Sequence, residues 1–171
     1  MPFSILRSMR ELIFPSRHLN CRRSLWLDTL ALLCERGRGD RESGGFLLGR
    51  RIDGVRVIES FLPYDDVDPR ALRGIILFDG SKMDVVWELC RRTGLEVVAH
   101  VHTHPGGFGQ SQTDRDNPMI PEVGHVALIV PNFADGAYFP GDIGIYEYRG
   151  RRQWVDRSGD GGRYFAVRRF A

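Results

Sequence analysis

The most constraining stretch of this chain is His100-Val101-His102-Thr103-His104-Pro105-Gly106-Gly107, followed by Gln110-Ser111-Gln112-Thr113-Asp114. Side chains two apart on a strand share a face. The three imidazoles therefore form one row, and each ring needs hydrogen-bond partners that an apolar interior does not supply. A Pro-Gly-Gly turn closes the strand, so the row reads as a strand that ends at a site. His102 and His104, nearest the turn, are the pair expected to converge, and His100, one step deeper, is expected to pack or support. His18 and His125 stand alone and read as ordinary half-buried side chains.

Two imidazoles need a third donor to hold a metal. Asp114 is the first candidate and Asp116 the alternative, although Ser111-Gln112-Thr113-Asp114 also reads as a helix-capping run. The glycines before it are expected to let the backbone pass close to the ion. Two histidines and a carboxylate are a common ligand set for a catalytic zinc whose fourth position stays open. Such an ion polarises a carbonyl and lowers the pKa of a bound water towards 7. Hydrolysis then needs a base to move the proton. Glu42, before Ser43-Gly44-Gly45, is the candidate, though local sequence alone favours an exposed carboxylate.

The rest of the chain is compatible with one globular domain. Its 171 residues are enough for a core but cramped for two domains. A net charge of +2 makes no case for a nucleic acid or a membrane surface as partner. Cys21, Cys34 and Cys90 include no CxxC pair, which argues against a disulfide framework or a zinc ribbon. Arg7, Arg10 and Glu11 interrupt any signal peptide, and no apolar run is long enough to span a bilayer, so a cytoplasmic protein is expected.

Periodicity predicts a helix from an N-cap at Ser24 to about Arg36, stopped by Gly37. A strand hairpin is expected across Asp53-Gly54, and a second helix from Ser81, in a capping-box relation with Asp84, to Gly94. Val85, Val86, Leu89 and Cys90 are assigned to the apolar face of that helix. Further strands are expected at Leu12–Phe14, Ile75–Phe78, the histidine row, 125–130 and 144–148, with a return at 164–167. Pro63 to Pro69 reads as an acidic loop. The expected fold class is α+β with mixed α/β layers, built on a central, mostly antiparallel curved sheet flanked by helices. Residues 1–23 are expected to be an N-terminal extension and 24–171 the domain.

Glu42 with Gly45 and Leu47-Leu48-Gly49, then His102-Thr103-His104-Pro105, then Ser111-Gln112-Thr113-Asp114, resembles the signature of the JAMM zinc metalloproteases (MPN-plus, JAB or Mov34/MPN/PAD-1 domains). The match runs from residue 42 to 114. The resemblance implies the cytidine-deaminase-like JAB/MPN fold, with one Zn2+ held by His102, His104 and Asp114. It also implies Glu42 as general base and Ser111 as a stabiliser of the oxyanion. The Pro105-to-Ser111 loop is one residue shorter than the commonest family spacing, and Gln110 stands where a proline or apolar residue is usual.

What the resemblance implies about function is cleavage after the Gly-Gly tail of a ubiquitin-like protein, as in stand-alone bacterial members. The implied partners are that protein or its conjugates, with E1- and E2-like enzymes of the same system. Trimming of a sulfur-carrier protein's C-terminal extension and a non-catalytic MPN scaffold are the alternatives. Zinc deaminase chemistry is excluded, because it needs an HxE and a PCxxC that are absent here.

Overall fold

The chain enters its sheet and its first helix without a loop between them. In the computed structural model, which describes residues 18–169 apart from Gly74 and Leu77, strand β1 (Leu19–Arg22) runs straight into helix α1 (Arg23–Gly37). Ser24 therefore lies inside the first turn, and the N-cap is Arg22, with no side-chain cap. At the other end Gly37 is the last helical residue, and Arg38 takes the left-handed conformation, at φ 54°. β1 pairs with strands on both sides, so the sheet begins before residue 24. The strand expected at Leu12–Phe14 lies outside the described residues.

Strands β2 (Gly44–Ile52) and β3 (Val55–Pro63) form the expected hairpin, with Asp53 and Gly54 at φ 50° and 80°. Both angles suit a two-residue turn that follows the sheet's twist. Helix α2 (Tyr64–Val67) occupies the segment expected to be an acidic loop. Arg36 donates to Asp65 at 2.6 Å and to the exposed Asp66 at 2.9 Å, and Asp68, after the helix, is buried. A small hairpin follows, β4 (Leu72–Arg73) with β5 (Ile75–Ile76), in place of the longer strand expected up to Phe78.

Helix α3 (Met83–Thr93) ends at Gly94 as expected, but it starts differently. Asp79 accepts from the Ser81 backbone N–H and caps a 3-10 turn at Gly80–Lys82, so Ser81 caps nothing. Val86 and Cys90 face inward while Val85 is 54% exposed, because only the positions a helical turn apart reach the sheet. Cys21, Cys34 and Cys90 are free thiols, the first and last buried and Cys34 partly so.

The histidine row is β6 (Glu96–Thr103), followed by helix α4 (Gln112–Asp116) and strands β7 (Val126–Val130), β8 (Gly144–Gly150), β9 (Gln153–Asp156) and β10 (Phe165–Arg168). The eight-stranded sheet has the order β10-β1-β3-β2-β6-β7-β8-β9. Four of its seven pairings are antiparallel, and β10-β1, β1-β3 and β6-β7 are parallel. The mixed α+β class is as expected. β9 is a strand for which the sequence reading made no assignment.

Strand alternation divides the interior in two. Leu47, Val101, Leu128, Val130 and Ile145 meet Trp26, Leu30 and Leu33 of α1 on one face. Phe46, Leu48 and Tyr64 pack with Leu72, Val86 and Cys90 on the other. His100 and His102 project to this second face, in register with Ala127 and Ile129 of β7. No helix among the described residues is long and apolar enough to cross a membrane.

Candidate metal centre

β6 is an interior strand, so the position of its histidines is set by neighbours on both sides. His102 lies opposite Gly44 of β2 and Ile129 of β7. His104 follows the strand end, with its N–H on the Val130 carbonyl at 3.0 Å and its carbonyl accepting from Phe133 N–H at 2.8 Å. The two rings converge, with Nε2 of His102 and Nε2 of His104 3.2 Å apart.

Asp114 closes the group from α4. His102 Nε2 is 3.5 Å from Asp114 Oδ1, and His104 Nε2 is 3.3 Å from Oδ2. A tetrahedral ion with ligands at about 2.0–2.1 Å spaces its donor atoms about 3.3–3.4 Å apart. The separations lie close to that edge, with the two histidines reaching different oxygens of Asp114, so the cluster is compatible with a metal ion. Among the described residues His102, His104 and Asp114 are the cluster that qualifies, with one donor atom from each lying within 4.8 Å of the others. Asp116, the alternative, is half-buried like Asp114 but stands outside the cluster, accepting from Gln112 Nε2 at 2.9 Å.

The capping reading of Ser111 to Asp114 is also realised. Ser111 is the N-cap of α4, and Asp114 N–H donates to its hydroxyl at 3.1 Å. In return Ser111 N–H and Oγ–H donate to Asp114 Oδ2, at 2.8 and 2.6 Å. The capping box thus orients the carboxylate and leaves Oδ1 with no donor from Ser111. The hydroxyl of Ser111 is committed to Asp114.

Electrostatics agree with a cationic site. Burial alone would raise the Asp114 carboxyl, but hydrogen bonds from His102, His104 and Ser111 hold it well below the usual range. Burial opposes protonation of His104, yet the bond and charge of Asp114, with the charge of Glu42, raise it overall. The Gly109 backbone also hydrogen-bonds the His104 ring. A second partner of this kind fixes the orientation of a ligating imidazole.

Glu42 lines the same cavity, of about 280 Å³, with His102, Ser111 and Asp114. Burial raises its carboxyl, against His102 and His104 and a bond from the Ile76 backbone. Its position comes from a clamp. Ser43 N–H donates to Thr103 Oγ1 at 2.9 Å, Thr103 N–H returns to the Ser43 carbonyl at 2.9 Å, and Ser43 Oγ–H donates to the Leu33 carbonyl at 2.7 Å. Thr103, the residue between the two histidines, therefore locks the Glu42 segment to their strand. Sequence reasoning missed this; the one available signal was that alternation turns Thr103 away from His102.

Three further features were not foreseen. His125 is buried rather than half-buried, and its Nε2 lies 2.8 Å from His100 Nδ1, with the rings stacked at 5.0 Å. Tyr64 lines the cavity, and its buried hydroxyl has no hydrogen-bond partner among the described residues. The glycines of the loop after His104 are not where backbone crowds: a Cβ at Gly106, Gly107 or Gly109 meets nothing within 4 Å. The close approach is at Gly144 of β8, where a Cβ would stand 2.3 Å from the Phe108 carbonyl.

Comparisons with known proteins point the same way. No protein-family model matches the chain. Over 108 residues it is 30% identical to the probable metalloprotease y4jG of Sinorhizobium fredii, an alignment covering 59% of this chain and 66% of that protein, just under two thirds of its length. The fold is shared with a protein from Desulfitobacterium hafniense solved in solution, at a TM-score of 0.64 and 16% identity, over 88% of this chain and 92% of that one. A Salinibacter ruber protein aligns at a TM-score of 0.55 and 19% identity, covering 81% and 88%. Sequence similarity to a probable metalloprotease thus coincides with a His-His-Asp cluster compatible with a metal ion.

Proposed function

We propose that the chain is a zinc-dependent peptidase of the JAMM type that cleaves the peptide or isopeptide bond after the Gly-Gly tail of a ubiquitin-like protein. The observation that carries this reading is the convergence of His102, His104 and Asp114 beside the half-buried carboxyl of Glu42 in one cavity. Zinc at the three donors would supply a Lewis acid for the scissile carbonyl and acidify a water.

The chain's own residues do the rest. Glu42 takes the proton of the attacking water and delivers it to the leaving nitrogen. Its raised proton affinity suits a group that must hold a proton between the two steps. Ser111 stabilises the developing oxyanion by turning its hydroxyl from Asp114 to the substrate, a step that frees one of the two bonds to Oδ2. Tyr64 and Ile76, with Met119 and Trp154, wall the cavity. Glycines fit such a site because backbone without side chains approaches the ion closely.

The test is cleavage of a panel of ubiquitin-like fusions, linear and lysine-linked, with and without a zinc chelator. Chelator-sensitive cleavage after Gly-Gly, lost in Glu42→Gln, is the expected outcome. Cleavage of linear extensions alone would assign the chain to sulfur-carrier processing, and no cleavage of any fusion would overturn the hydrolase reading.

A further inference from the structure

A second hollow adjoins the metal-centre cavity and shares Gln110 and Trp154 with it. Its walls include Arg115 at the end of α4, Arg152 in the β8–β9 turn, Tyr146 and Asp156. Among the described residues neither Arg115 nor Arg152 has an ion pair or a side-chain hydrogen bond. Elsewhere Arg36, Arg50, Arg51, Arg91 and Arg157 all meet carboxylates. Two unpaired guanidinium groups beside a single carboxylate leave the hollow net positive.

The frame that carries them is tied down. Tyr146 O–H donates to the Phe108 carbonyl at 3.2 Å and accepts from Gln110 N–H at 3.3 Å. Trp154 Nε1–H donates to the Arg115 carbonyl at 3.3 Å. Arg151 and Arg152 sit at φ 51° and 60°, a left-handed turn that ordinarily selects glycine or asparagine. Asp156 is occupied on one oxygen by Ser158 N–H at 2.8 Å.

We infer that this hollow is a subsite for a carboxylate of the substrate chain, borne a few residues from the scissile bond. The inference rests on the peptidase reading of the adjoining cavity, since a chain crossing that cavity past Gln110 and Trp154 meets Arg115 and Arg152 next. Guanidinium groups present paired N–H donors that match a carboxylate's two oxygens. The carboxylate belongs to a Glu or Asp side chain or to the chain terminus, and a basic tail is disfavoured.

The probes are fluorescent, C-terminally amidated peptides with a central Gly-Gly, carrying Glu, Gln or Lys at the second and third positions on either side. A Gln peptide with a free C-terminal carboxylate completes the set. Binding is read by anisotropy on the zinc-loaded Glu42→Gln protein, and kcat/KM on the wild type. The Glu peptides are expected to bind about three- to tenfold tighter than the Gln peptides, between the strength of an exposed ion pair and that of a charge-assisted hydrogen bond. The preference should vanish in the Arg115→Gln/Arg152→Gln double variant, survive in the double Lys variant, and weaken as salt rises. Preference for the free carboxylate alone would assign the subsite to the chain terminus. Equal binding of all the peptides, or a preference that persists in the double Gln variant, overturns the inference. Charge-selective binding without cleavage by the wild type removes the peptidase reading and leaves the subsite standing. Chelator-sensitive cleavage without charge preference does the reverse.

Discussion

Replacing His125 with Phe should flatten the loss of stability on acidification. Free imidazole protonates near pH 6.5, whereas burial, aided by the charge of Arg56, pushes buried His125 down to about 3. Between those values the unfolded chain binds more protons at this residue than the folded one, so stability rises with pH across the window and falls on acidification. From about pH 7 to about pH 5 the unfolded state gains a statistical weight of roughly 25-fold there, or about 2 kcal/mol, while the folded state gains almost none. His100, lowered by burial and then by His125 and His102, contributes with the same sign. His104, whose value is raised, acts in the opposite sense and is present in both proteins, so the difference between them reports His125 together with its effect on His100. Phe keeps a ring against His100 but leaves Nδ1 without its partner, a cost of about 1–3 kcal/mol at every pH. Urea unfolding at a series of pH values with chelator present measures both quantities. The variant should be weaker at pH 7, with a pH dependence shallower by about 2 kcal/mol. Parallel curves would show that His125 is free to take its proton in the folded protein, and the reasoning from burial would fail.

Other perturbations separate the roles of the site residues. Glu42→Gln should lower kcat by about 10²- to 10⁴-fold, the usual weight of a general base, with metal content unchanged. Thr103→Val leaves Ser43 N–H unpaired, so it should cost about 1–3 kcal/mol in urea unfolding and lower kcat by loosening the Glu42 segment. Gly44→Ala puts a Cβ 2.6 Å from Tyr64 Cε2, 2.8 Å from the Val101 carbonyl and 2.9 Å from His102 Cβ. Overpacking of this kind costs about 1–3 kcal/mol, and calorimetric zinc titration should show weaker binding because His102 is the neighbour displaced.

Much of this was legible because chemistry narrows the choices. A row of imidazoles before Pro-Gly-Gly had few uses, and Asp114 joins His102 and His104 as their spacing suggested. The Asp53-Gly54 turn and the stop at Gly94 were readable because each demands a particular backbone conformation. What failed to show was decided by distant partners. β1 and β9 carry polar residues such as Asn20, Arg22, Gln153 and Asp156; β1 becomes a strand by pairing with β3 and β10 far along the chain, and β9 by folding back on β8. Ser24 looked like a cap because nothing local reveals that β1 passes straight into α1. Asp65 looked solvated because its partner Arg36 lies on another element. The clamp from Thr103 to Ser43 and the bond between His100 and His125 are likewise tertiary, and no periodicity encodes them.

His102, His104 and Asp114 act together only if they hold one ion. Metal content of the purified protein, measured by elemental mass spectrometry after incubation with zinc and desalting, tests that most directly. The wild type should carry zinc at close to one equivalent per chain, and His102→Ala, His104→Ala and Asp114→Ala should each carry almost none while remaining folded by circular dichroism. A wild type that retains no metal, or ligand variants that retain as much as the wild type, would contradict the assignment.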